Sequence, residues 1–137
     1  MAEVFGTAAS AIAVAESTLR CLKYIKDVKN AEDDIVRIRT EVNHFKAASE
    51  SVQELLDGPD RERLKASQQL RTTLDDGRQQ LEQLQKKLAP SKKHACMKLL
   101  GLRALKWPFE SEDIEKVVET LARFTQMISL SLQVDQT

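Results

Sequence analysis

The feature that most constrains this chain is a three-four alternation of apolar residues that recurs along most of its length. After Asn30 the stripe reads Ile35, Ile38, Val42, Phe45, Ser49, Val52 and Leu56, with a single polar lapse at Ser49. Steps of three and four stay on one face of a helix with about 3.6 residues per turn, whereas a half-buried strand needs steps of two. Between Asp60 and Ala89 the same pattern gives Ser67, Leu70, Leu74, Gly77, Leu81, Leu84 and Leu88, and after Ser111 it gives Ile114, Val117, Val118, Leu121, Phe124, Ile128 and Leu132. Three long amphipathic helices follow, each with a stripe that must be covered by another element.

The breaks between the stripes carry turn chemistry. Asn30 can accept the free amides of a first helical turn, and Asp57-Gly58-Pro59-Asp60 provides a stop and a restart. Pro90-Ser91 ends the third stripe and leaves room for a short helix from about Lys92 to Leu105. Lys106-Trp107-Pro108-Phe109 reads as a corner, after which Ser111 is expected to cap the last helix, with Glu112, Asp113 and Glu115 at its positive end. Gly77 costs about 1 kcal/mol relative to alanine inside a helix, so it marks either a kink or a close helix contact. A first helix is expected from Glu3 to Val28. Its polar stripe is Glu16, Arg20, Lys23 and Asp27, and the same face continues backwards through the small residues Ala13, Ala9 and Gly6. The expected fold is therefore all-α: an antiparallel four-helix bundle with an additional short helix before the last long helix, forming one domain over residues 1–137.

Composition supports this and excludes several functions. Gly, Pro and aromatic residues are scarce, and 137 residues suffice for one core. Lys+Arg and Asp+Glu are equal at 21 each, so bulk charge favours neither nucleic acid nor an acidic tail. The histidines His44 and His94 and the cysteines Cys21 and Cys96 have no metal-ligand or redox spacing, and both thiols are expected to be free in a reducing compartment. Neither a phosphate loop nor a nucleophile elbow is present. The expectation is a protein that is not an enzyme and needs neither metal nor cofactor.

Two segments depart from an ordinary helical domain. From Val4 to Ala15 there is no charged residue, although 31% of the chain is charged. No basic segment precedes this run, which disfavours a secretory signal, and Ala2 replaces the glycine that myristoylation requires. The run is shorter than the roughly 20 apolar residues of a spanning helix, with Glu16 close behind. It does hold small residues four apart, as in Gly6-x-x-x-Ser10, Thr7-x-x-x-Ala11-x-x-x-Ala15 and Ala9-x-x-x-Ala13, a spacing that favours close helix approach in lipid. The second segment, between Glu82 and Glu110, contains Lys86, Lys87, Lys92, Lys93, Lys98, Arg103 and Lys106 and no acidic residue. Such a surface suits anionic lipid, at about 1 kcal/mol per basic residue near the membrane. Nucleic acid is the weaker use, since Trp107 alone offers no stacking platform.

The opening MAEVFGTAASAIAVAE, the junction Tyr24-Ile25-Lys26-Asp27-Val28-Lys29-Asn30-Ala31, the corner Leu105-Lys106-Trp107-Pro108-Phe109 and the following Ile114-Glu115-Lys116-Val117-Val118-Glu119 resemble the fungal HeLo-like domain. That domain stands at the N-terminus of many fungal NOD-like (STAND) receptors and related cell-death proteins. The resemblance spans essentially the whole chain, its start and its Lys-Trp-Pro-Phe corner being the most specific parts. It implies a helical bundle similar to the death-executing bundles of the necroptosis pseudokinase and of a class of plant immune receptors. It also implies action at membranes through an apolar first helix, over Val4 to Leu19, and transfers no catalytic residue.

The resulting expectation is the membrane-targeting effector domain of a fungal innate-immunity or heterokaryon-incompatibility protein, the N-terminal part of a larger chain. It would be cytoplasmic at rest, act at the plasma membrane on activation by an attached or partner receptor or signalling domain, and permeabilise by oligomerisation and helix insertion. Val4, Phe5, Ala8, Ile12 and Leu19 are the candidates for insertion, Gly6, Ala9, Ala11 and Ala15 for helix contacts, and the seven basic residues for anionic membrane lipids. A carboxylate at membrane depth costs a few kcal/mol, so Glu16 limits entry to about Val4 to Ala15. The competing expectations are a non-lytic signalling adaptor, in which the first helix never leaves the core, and an elongated coiled-coil scaffold.

Overall fold

A computed structural model of the chain describes residues 4–23, 32–58, 68–88 and 109–136. Four helices account for nearly all of them: α1 (Val4–Lys23), α2 (Glu32–Leu56), α3 (Gln68–Leu88) and α4 (Ser111–Gln136). No strand occurs among the described residues. The proposed cap Asn30, the start of the third stripe at Ser67 and the expected short helix over 92–105 lie outside the described residues.

The stripes become the core. On α2 every stripe position from Ile35 to Leu56 is buried, Ser49 included. The Ser49 hydroxyl donates to the Phe45 carbonyl at 2.9 Å, which satisfies it without a partner from another helix. Leu70, Leu74, Leu81 and Leu84 of α3 and Ile114, Leu121, Ile128 and Leu132 of α4 complete this apolar interior. On α1 the buried positions are Ala8, Ala11, Ala15, Thr18, Cys21 and Leu22, with Thr7 at the margin.

The main helix interfaces are α1 with α2, α1 with α3, α2 with α4, and α3 with α4. These close a ring in the order α1, α2, α4, α3, so α2 and α3 face each other across one diagonal and α1 and α4 across the other. Gly77 lies on the first diagonal. A Cβ added there would fall on Cζ and Cε1 of the fully buried Phe45 ring, so the glycine is a close-contact position that lets an aromatic side chain cross the centre.

Helix ends depart from expectation in two places. α2 stops at Leu56 as the Asp57-Gly58 pair suggests, yet no glycine among the described residues has a positive φ. The last turn tightens instead, with Asp57 N–H shared between the Gln53 and Glu54 carbonyls at 3.2 Å each and Gly58 N–H donated to the Leu55 carbonyl at 3.1 Å. At α4 the expected cap, Ser111, is already helical. Glu110 occupies the capping position: its carbonyl accepts from Ile114 N–H at 3.2 Å, and its own N–H reaches the Asp113 carboxylate at 3.4 Å. Ser111 instead donates its hydroxyl to Asp34 Oδ2 of α2 at 3.1 Å, tying two helix starts together.

Candidate functional site

The segment that the sequence marks out for function is α1, and its two faces differ. Ala8, Ala11 and Ala15 are fully buried, and Val14 and Leu19 pack against the core while remaining half-buried. Gly6, Ala9, Ser10 and Ala13 are exposed, in line with Glu16, Arg20 and Lys23. The polar stripe of the second half thus continues into a face of small residues, and around Gly6 no side chain comes within 4 Å of the position a Cβ would take. Of the insertion candidates, Ala8 is buried and Ile12 and Leu19 are half-buried; Val4 and Phe5 lie on α1, with their side chains outside the described part. Among the helix-contact candidates, Ala11 and Ala15 face the core and Gly6 and Ala9 face outwards.

α1 is joined to α3 by a polar cluster that the stripes did not announce. Gln85 Nε2 donates to Thr18 Oγ1 at 2.9 Å and to the Val14 carbonyl at 3.3 Å. Thr18 passes its own hydroxyl proton back to the Val14 carbonyl at 2.8 Å, and Ser17 Oγ donates to Gln85 Oε1 at 3.5 Å. One amide therefore engages the C-terminal half of α1 through both of its ends. A partial signal was present in the sequence, since Ala8, Ala11, Ala15, Thr18 and Leu22 form a three-four stripe of their own with a polar member. The partner Gln85 follows Leu84 at the edge of the α3 stripe, a place where polar residues are ordinary.

One turn beyond Thr18, Cys21 is fully buried and disulfide-bonded. The expectation of a free thiol is corrected at this position. It rested on two widely separated cysteines having no recognisable spacing, but sequence separation does not limit which sulfurs a fold brings together. The chain's other cysteine, Cys96, lies outside the described residues.

The basic segment is described only at its start. Lys86 and Lys87 are exposed at the end of α3, and Lys87 Nζ sits 5.8 Å from the centroid of the Phe109 ring, within cation–π range. Lys92, Lys93, Lys98, Arg103 and Lys106 lie outside the described residues. Further along the same helix Arg78 holds Asp75 at 2.5 Å and Glu82 at 2.8 Å. Its hydrogen bond to Asp75, chiefly, raises its pKa against a smaller opposing effect of burial. These are contacts within one helix and stiffen its outer surface.

No group of His, Cys, Asp and Glu able to hold a metal ion occurs among the described residues, and no described helix is long and apolar enough to cross a membrane. Comparison of the chain with protein-family models, curated proteins and solved structures finds no match.

Proposed function

We propose that this chain is a HeLo-like effector domain that acts on membranes through α1. The observation that carries the reading is the construction of α1: a charge-free N-terminal half, Val4 to Ala15, in which the fully buried side chains among the described ones are those of Ala8, Ala11 and Ala15. Each of these alanines contributes one methyl group, less than a larger apolar side chain would, because stabilisation scales with the area buried. Once α1 is free, its small residues suit helix association in lipid, and Glu16 would stay at headgroup level, giving partial insertion and oligomeric disruption.

The proposed resting form is an antiparallel four-helix bundle. Its support is a chain of contacts at one end: Thr18 of α1 with Gln85 of α3, Lys87 of α3 with Phe109 just before α4, and Ser111 of α4 with Asp34 of α2. Ends of α1 and α3 thus meet starts of α2 and α4, so helices consecutive in the chain run antiparallel in this reading, while the neighbours α1 with α3 and α2 with α4 run parallel. We further propose activation by an attached or partner signalling domain in a fungal cell-death or incompatibility response, with anionic lipid drawn to the basic segment that begins at Lys86 and Lys87. In a cytoplasmic resting state the bond at Cys21 belongs to the transient, redox-responsive kind, since stable disulfides are rare there. The chain is not proposed to be an enzyme.

The adaptor reading has an observation of its own: the full burial of Ala8, Ala11, Ala15, Cys21 and Leu22 makes α1 a core member. Dye release from phosphatidylcholine–phosphatidylserine vesicles separates the two, using the full chain and its Ile12→Asp variant. Ile12 is only half-buried, so a carboxylate there is tolerated in water but costs about 3 kcal/mol at membrane depth. The expected result is leakage from the wild type and little from a variant shown by circular dichroism to be folded. Equal leakage from the two removes insertion of α1, and none from an oligomerised wild type moves the assignment to the adaptor.

A further inference from the structure

We propose that Gln85 is a releasable latch: it holds α1 in its seat, and breaking its hydrogen bonds lets α1 swing out from residue 4 to about residue 18 while the rest of the fold stays assembled. The proposal deepens the membrane-effector reading and rests on it for its purpose, though not for its geometry.

Three observations carry it. First, α1 and α4 occupy opposite corners of the ring, so departure of α1 uncovers one side each of α2 and α3 and leaves the α2/α4 and α3/α4 interfaces intact. Opening of α1 alone is thereby separable from global unfolding. Second, the seat is unequal along the helix. Ahead of residue 16 the fully buried side chains among the described ones are the alanines Ala8, Ala11 and Ala15, each contributing one methyl group, with Val14 packed at the margin, whereas Thr18, Cys21 and Leu22 crowd the last two turns. Third, the directional attachments sit where those two parts meet. Gln85 reaches the Val14 carbonyl, Thr18 Oγ1 and Ser17 Oγ, and Cys21 is bonded covalently one turn later. Loss of the Gln85 contacts therefore frees the apolar half, while the bond at Cys21 keeps the last turn tethered and makes it a hinge.

The latch is polar and half-exposed, which suits a device that must open. An apolar contact in its place would have no directional preference, and a deeply buried network would cost too much to break. Once α1 has moved away, water can replace each of the three hydrogen bonds between Gln85 and α1, while the Thr18–Val14 bond within α1 persists, so opening needs no unsatisfied group left behind.

Hydrogen–deuterium exchange on the full chain tests this with Gln85→Ala and, in case truncation disturbs packing, the near-isosteric Thr18→Val; Gln79→Ala on the outer face of α3 is the control. Amides of residues 8 to 18 should exchange about 10- to 100-fold faster in both latch variants, with α2 and α4 unchanged and the control unaffected. Uniform acceleration across all four helices, or none in α1, overturns the latch. Leakage from phosphatidylserine-containing vesicles is measured on the same samples. Selective opening of α1 with no gain in leakage leaves the latch standing and removes the membrane reading; selective opening with faster leakage supports both.

Discussion

At the scale of single residues, the meeting of Gly77 and Phe45 is the most demanding contact in the core. Phe45 is fully buried and has nowhere to swing if a methyl group occupies its place on α3. Overpacking of this kind costs about 1–3 kcal/mol, against about 1 kcal/mol returned by the better helix propensity of alanine. Gly77→Ala should therefore destabilise by up to about 2 kcal/mol in urea denaturation, and combining it with Phe45→Leu should cost clearly less than the sum of the two single changes. Strict additivity would show that the two residues do not compete for space. The sequence flagged Gly77 as kink or close contact but not its partner, because the register of α2 against α3 is set by packing across the molecule. By contrast, the apolar positions of the α2 stripe were legible one by one, since burial there follows from periodicity alone. Arg78 illustrates a residue with little leverage. Its raised pKa makes its contribution complete at every pH below its ordinary value and lost only as pH rises beyond it, so it adds no pH dependence near neutrality.

At the scale of elements, the helix ends show where local chemistry and tertiary contact divide the work. Ser111 and Asp113 are both plausible at a helix start, and the structure gives the cap to Glu110 and Asp113 while Ser111 turns to Asp34. Ser111 is already inside the first turn, and where its hydroxyl proton goes is decided by the approach of α2, which brings the Asp34 carboxylate within reach. α1 is the element whose attachment least resembles what its sequence suggested. Its buried alanine stripe is readable in hindsight, but Gln85 and the bonded Cys21 depend on which helix lies alongside. Reducing that bond should loosen the end of α1 most. A disulfide typically contributes about 2–4 kcal/mol, which for a chain of this size corresponds to a fall in melting temperature of roughly 10 °C in dithiothreitol. An unchanged melting temperature, with reduction verified by mass spectrometry, would mean that the bond plays no part in holding the fold.

At the scale of the whole molecule, four helices enclosing one core should be compact. The usual scaling for folded chains gives a radius of gyration of roughly 14 Å for 137 residues. Small-angle scattering should return a value near this for a compact monomer; a markedly larger one would favour the coiled-coil scaffold, in which α2 and α3 build an elongated dimer. What the sequence by itself determined is the helical class, the placement of the stripes and the charge-free start of α1, because each depends on the period of a helix and the solubility of side chains, which are local properties. The order of helices around the core, the crossing of Phe45 to Gly77, the grip of Gln85 on α1 and the bonding of Cys21 were decided by tertiary structure. These join residues tens of positions apart. Many pairings of amphipathic helices bury similar apolar area, so periodicity does not distinguish them; the choice falls to shape and hydrogen bonding at the points where the helices touch.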